Sequence, residues 1–148
     1  MKTIDCFKGE YFFLSNFYES YTTINHTVYP TIEHFFQSQK AMNNEERNSI
    51  IKAGSPNIAK AIGRKVQLRP DWEEIKDQVM YDGVKAKFSK NPILKEKLLA
   101  TGDAELIEGN WWNDTYWGVC KGVGKNKLGK ILMRVRDELN KENITVKI

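Results

Sequence analysis

All four prolines of this chain stand where a run of helix-spaced apolar residues begins, and that punctuation constrains the fold more than any single motif. A proline in the first helical turn gives up only an N–H that has no partner within the helix, so it marks a start without weakening the later turns. Pro30-Thr31 leads into an aromatic helix with Thr31 as its cap. Ser55-Pro56 opens another, closed by Gly63. Pro70-Asp71-Trp72-Glu73-Glu74 resembles a capping box and precedes a long run with Ile75, Val79, Met80, Val84 and Phe88 on one side. Asn91-Pro92 starts a short helix that turns Ile93, Leu94, Leu98 and Leu99 inward. A further helix covers residues 45–53, and Asn126 caps a last one with Leu128, Ile131, Leu132, Val135 and Leu139 buried. Before Pro30, aromatics alternate with short polar breaks, so residues 11–18 and 22–29 read as strands, the second folded at Asn25-His26. Residues 106–108 read as a short strand. The expectation is one compact, mostly helical α+β domain spanning residues 1–148, with a small N-terminal β-hairpin or meander.

Residues 29–41 carry more than a helix needs. Ile32, Phe35, Phe36 and Met42 supply a face to bury. Glu33, Gln37 and Lys40 fall at i, i+4 and i+7, which lines an acid, an amide and an amine along the neighbouring face. A carboxylate and an amine held on one rigid helix suit hydrolytic chemistry: one group moves protons, the other attacks or clamps phosphate. On spacing alone, Glu33 also suits the helix dipole and Lys40 a solvated surface. His34 projects about 100° away from Glu33 around a helix, so it is expected to pack or order the helix.

Trp111-Trp112-Asn113-Asp114-Thr115-Tyr116-Trp117-Gly118 gathers four aromatics around one acid in a segment read as loop. Rings stack on bases and an acid fixes orientation, so such loops form ligand walls. Trp111 and Trp112 are expected in the core. The glycine-rich residues 118–129 are not a Walker A motif: the first gap is one residue too long, and Asn126 stands where a magnesium-binding hydroxyl belongs. What remains is general. Gly118, Gly124 and Gly129 let backbone approach a ligand, and a helix beginning near Asn126 offers free N–H groups to an anion.

A chain of 148 residues fits one domain. No apolar run approaches the ~18 residues of a membrane span, and the N-terminus has no signal-peptide core, so a cytoplasmic protein without membrane attachment is expected. Cys6 and Cys120 form no disulfide framework and are expected as reduced thiols. With only His26 and His34 beside them, no metal site and no cofactor are expected. The net charge of +4 is mild, yet Lys121, Lys125, Lys127 and Lys130 cluster late, which favours a phosphate-bearing ligand.

Several of these segments resemble the NADAR, or YbiA-like, family. The Tyr29-Pro30-x-x-Glu33-His34 helix ending in Lys40-Ala41 is similar to its signature. Phe13-Leu14-Ser15-Asn16-Phe17-Tyr18 resembles its N-terminal motif, and Gly63-Arg64 with Arg69-x-Asp71-Trp72 its middle section. Asp114-x-x-Trp117-Gly118 and Gly124-x-Asn126-x-Leu128-Gly129-x-x-Leu132-Met133-x-x-Arg136 resemble its C-terminal signature. The matches run in order from about Phe7 to Leu139. The resemblance implies an N-glycosidase acting on a ribose–base bond. The substrate would be a phosphorylated ribosylamino-pyrimidine intermediate of riboflavin synthesis or ADP-ribose on guanine in nucleic acid. It implies Glu33 for charge stabilisation or proton transfer, Lys40 as Schiff-base nucleophile or phosphate clamp, and Asp114 to position a ribose hydroxyl or water. Asn16, Phe17 and Gln37 would line the ligand, Trp117 would stack on it, and Gly118, Gly124, Lys125, Asn126 and Gly129 would hold phosphate. The alternatives are a non-catalytic module binding ADP-ribose or NAD-derived ligands, and a nucleic-acid-binding protein using the late lysines. The residues leave the oligomeric state open.

Overall fold

The computed structural model describes residues 2–147, with side chains described through residue 143. The chain forms two compact units: residues 16–87, and residues 1–15 together with residues 88–148.

The 16–87 unit starts with a hairpin. Strands β1 (Thr3–Ile4), β2 (Thr22–Ile24) and β3 (Thr27–Tyr29) come first in chain order; β2 and β3 pair antiparallel, with Thr22 opposite Tyr29 and Ile24 opposite Thr27. Asn25 and His26 both take positive φ, 50° and 68°, the geometry of a tight two-residue turn whose twist matches its strands. Helix α1 (Ile32–Ser38) comes next, capped by the Thr31 hydroxyl, which accepts from the His34 N–H. Helices α2 (Asn44–Ile51) and α3 (Pro56–Gly63) are capped by Asn43 and Ser55, and α3 has its proline in the first turn as expected. Helix α4 (Trp72–Lys90) follows. Every residue of α1 is buried. Phe35 lies against Gly83, where an added Cβ would come within 2.9 Å of the ring, so α1 and α4 approach closely only because that position is glycine. Ile24, Tyr29 and Phe35 form a core with Ile51, Val79 and Ala86 around them. The Tyr29 and Phe35 rings meet edge-on at 5.1 Å. Met42 does not join the buried face: α1 ends at Ser38 and Met42 is half exposed beyond it.

In the other unit, β1 pairs in parallel with β4 (Glu105–Leu106), and β5 (Gly109–Asn110) with β6 (Val119–Cys120). Helix α5 (Pro92–Ala100) buries Leu94 and Leu98 but leaves Ile93 exposed. Helix α6 (Lys127–Lys147) buries Leu128, Leu132, Val135 and Leu139, and its Arg136 donates to the Thr101 hydroxyl and the Ala104 carbonyl. The strand expected over residues 11–18 is absent. Gly9–Leu14 is a 3-10 helix that buries Phe13 and Leu14 and exposes Phe12. Four large apolar side chains in succession do not alternate, and a three-residue turn puts two neighbours inward together. The expected strand at 106–108 runs instead over Glu105–Leu106, because its partner β1 is two residues long. Cys6 and Cys120 are both free thiols. Among the described residues, no helix is long and apolar enough to cross a membrane.

Candidate functional site

The candidate residues fall into two sets, one in each unit. In the 16–87 unit, burial of α1 leaves Glu33 only 7% exposed. Its N–H donates to the Asn16 carbonyl at 3.0 Å, and Gln37 Nε2 donates to Glu33 Oε2 at 2.6 Å, the one-turn reach that their i, i+4 spacing provides. Gln37 Oε1 is buried and has no hydrogen-bond partner among the described residues; it lies over Gly63, where any Cβ would strike it. A buried amide oxygen without a donor is costly. Asn16 Nδ2 donates to Met80 Sδ of α4 at 3.3 Å, and Phe17 beside it is half-buried. His34 turns away as expected: Nε2 donates to the Ala53 carbonyl at 3.0 Å, leaving Nδ1 to accept from the Thr31 hydroxyl at 2.8 Å.

Lys40 is not on the helix. Gln39 is the C-cap of α1, and the Lys40 N–H closes a turn beyond it on the Gln37 carbonyl. Its Nζ lies 5.9 Å from the ring centres of both Phe36 and Trp72, whose own centres are 5.0 Å apart with the rings tilted by 60°. Burial pushes the Lys40 amine below its ordinary range; the Glu33 charge opposes that, and Arg64, Lys60 and Lys76 add to it.

A second amine was not singled out by sequence reasoning. Lys87 is fully buried in α4, with Nζ 5.5 Å from the Tyr18 ring centre. Burial lowers its pKa to about 7. Its signal lies in the helical period: Met80, Val84 and Phe88 form the buried stripe of α4, and Lys87 falls on that stripe one turn beyond Val84. In the same unit, a cavity of about 470 Å³ is lined by Ala41, Met42, Arg47, Arg69, Pro70 and Asp71. Both guanidiniums there are engaged: Arg69 holds the Asp71 carboxylate through Nε and one terminal nitrogen, and Arg47 donates to Asn44 and the Ala41 carbonyl.

The other set lies in residues 108–129. Asp114 Oδ1 accepts from the N–H groups of Tyr116 and Trp117, at 3.1 and 2.9 Å, and the Asn110 side chain bonds both its backbone N–H and its carbonyl. Asp114 therefore shapes a turn. Trp117 is half-buried, its ring edge-on to Tyr116 at 4.8 Å, and the Tyr116 ring carries the Lys125 and Lys127 ammoniums at 5.4 and 5.8 Å. Trp111 and Trp112 are 77% and 44% exposed, so neither is core; they pack edge-on against each other in the loop.

The helix start does not offer the free N–H groups expected of it. The N–H groups of Lys125, Asn126, Lys127 and Leu128 donate to the carbonyls of Thr115, Gly118, Tyr116 and Trp117. Asn126 stands at the cap position, its carbonyl accepting from the Lys130 N–H, but its side chain does not cap the helix. Its φ is +52°, and its side chain accepts from the Glu108 N–H and donates to the Leu106 carbonyl. A Cβ at Gly118, Gly124 or Gly129 would strike Glu108, the Gly118 carbonyl or the Leu106 carbonyl respectively. Each of these glycines has an internal packing reason.

Comparison with known proteins bears on the whole chain. A sequence model of the NADAR domain matches residues 6–140. The chain is 41% identical over 128 residues to N-glycosidase YbiA of Escherichia coli, covering 84% of this chain and 79% of that one. It is 39% identical over 131 residues to an N-glycosidase of Nostoc punctiforme, covering 84% and 83%. A riboflavin biosynthesis protein of Vibrio vulnificus is 40% identical over 130 residues, covering 86% of this chain but 35% of that longer one. The solution structure of E. coli YbiA superposes with a TM-score of 0.87 at 38% identity, over 97% of this chain and 89% of the other. The mostly helical α+β architecture with its small hairpin is thus the YbiA topology, and the chain belongs to the NADAR domain family.

Proposed function

We propose that this protein is an N-glycosidase that hydrolyses the bond between a ribose carbon and a base nitrogen in the cytoplasm, on a substrate bearing phosphate. The observation that carries the reading is a buried acid and a buried amine bordering the same short stretch. Glu33 is tied to the Asn16 backbone and Lys87 lies over the Tyr18 ring. The names of the relatives support the reaction class: N-glycosidases in E. coli and Nostoc, and riboflavin biosynthesis proteins in Vibrio and maize.

Breaking such a bond builds positive charge on the anomeric carbon and the ring oxygen, and the departing base nitrogen must gain a proton. Glu33, its Oε2 fixed by Gln37, sits as the negative partner of that charge and the mover of that proton. Lys87 is the candidate nucleophile, because it is fully buried and an amine titrating near 7 is half neutral at working pH, whereas the Glu33 charge favours the protonated form of Lys40. Its lone pair forms the bond to the anomeric carbon as the base leaves with the bonding pair. Loss of a proton from Nζ and opening of the sugar ring give an imine. Water adds to the imine carbon, and the amine leaves to regenerate Lys87.

The test is a substrate panel read by product mass: a phosphorylated ribosylamino-pyrimidine and an oligonucleotide carrying ADP-ribosylated guanine, with wild type and Glu33→Gln. The expected result is release of the free base from at least one substrate by wild type only. Ligand binding without base release by wild type would replace the enzyme with a binding module.

A further inference from the structure

The glycosidase reading leaves an excess of positive charge beside Glu33 unexplained. Lys60 and Arg64 stand one turn apart at the C-terminal end of α3, on either side of Gly63, whose Cα packs on the Gln37 side chain. Lys40 reaches the Trp72 ring at the start of α4. Lys76 lies one turn further along α4, its side chain 18% exposed and its Nζ 2.9 Å from Glu73. Arg64, Lys60 and Lys76 all act on Lys40, so the four share one electrostatic neighbourhood in which Glu33 supplies the opposing charge. Among the described residues, Lys40, Lys60 and Arg64 form no ion pair. The end of the α3 dipole favours Lys60 and Arg64 and Glu73 pairs with Lys76, but neither accounts for Lys40. Like charges that share a neighbourhood repel, more so when partly buried.

We infer that Lys40, Lys60, Arg64 and Lys76 form a phosphoryl-binding subsite that holds the phosphate of the ribosyl substrate beside Glu33, an inference that rests on the glycosidase reading. An anion there turns mutual repulsion into four attractions, and Arg64 supplies a planar fork suited to two phosphoryl oxygens. The glycine turn at 118–129 is the weaker candidate, because its N–H groups already donate to carbonyls of the preceding loop.

Calorimetric titration with ribose, ribose 5-phosphate and ADP-ribose tests this without turnover. Wild type is expected to bind ribose 5-phosphate at least tenfold more tightly than ribose. Lys60→Gln with Arg64→Gln removes that preference, and Lys60→Arg with Arg64→Lys retains it. A preference for ADP-ribose alone that depends on the same residues identifies the bound group as a diphosphate rather than a monoester. No phosphate preference in wild type, or a preference lost in Lys125→Gln and kept in the Lys60/Arg64 double variant, overturns the subsite. An inactive wild type that still shows the cluster-dependent preference removes the glycosidase reading and leaves an anion site. An active wild type without the preference removes only the subsite.

Discussion

The Glu33–Lys87 region and the 108–129 loop are both rich in the residue types of active sites, yet they use them in opposite ways. In the loop, Asp114, Asn110 and Asn126 each spend their side chains on nearby backbone, and the first N–H groups of α6 are capped by loop carbonyls. Nothing in those bonds requires a ligand. In the 16–87 unit, Gln37 Oε1 is buried without a donor among the described residues, two lysines are shifted down by burial, and four cations share one neighbourhood. A fold that settles its polar groups in one place and leaves them strained in another supports the proposal that the second carries the chemistry. Motif density alone does not make that distinction.

Glu33→Gln gives the largest expected loss, on the order of 10²–10⁴ in kcat as for other positioned acid–base groups. The amide keeps its shape but removes the charge that opposes the neighbouring cations, so a modest fall in melting temperature is expected beside the large loss of rate; steady-state rates beside a thermal melt check both. Wild-type turnover in this variant would erase the contrast between the regions.

Lys87→Met separates activity from stability. Turnover is expected to vanish. The sign of the stability effect comes from the lowered pKa: between about 7 and the ordinary lysine value of 10.5 the unfolded chain binds more protons than the folded one. Wild type therefore gains stability as pH rises through that window, and below it the buried charge weighs fully against folding. The methionine variant's advantage in melting temperature is expected to be larger at pH 6 than at pH 9. An advantage that does not change with pH would mean that Lys87 does not titrate there. The wild-type rate should rise with pH through about 7 for the same reason.

In the loop, Gly129→Ala should cost stability, roughly 1–3 kcal/mol, because its Cβ would meet the Leu106 carbonyl and the Asn126 side chain. Activity per folded molecule is expected to survive. Asp114→Ala should be milder, about 1–2 kcal/mol for two lost backbone bonds. A large fall in kcat for Asp114→Ala with an unchanged melt would move that residue into the site and blur the comparison.

The helices are legible in the sequence because proline and cap chemistry act over three or four residues. Thr31 and Ser55 bond where their sequence context says they should. The N-terminal aromatic run is not legible, because Phe13 and Leu14 bury as neighbours and a contiguous run fits several conformations equally. At the site, spacing pairs Glu33 with Gln37 correctly, whereas it puts Lys40 on a helix that ends two residues earlier. Lys87 escapes notice because it resembles any lysine in an amphipathic helix. Only its place on the Met80–Val84 stripe sets it apart, and the meaning of that place depends on what packs over it.

The most direct test exposes the enzyme to ribose 5-phosphate and cyanoborohydride near neutral pH and maps the reduced adduct by peptide mass. An aldose forms an imine fastest with a neutral amine held beside its binding site. The account predicts a ribitylated Lys87 in wild type, slowed as pH falls below 7, and no adduct at that residue in Lys87→Met. A dominant adduct on Lys40, or labelling spread evenly over exposed lysines while Lys87 stays unmodified, would contradict it.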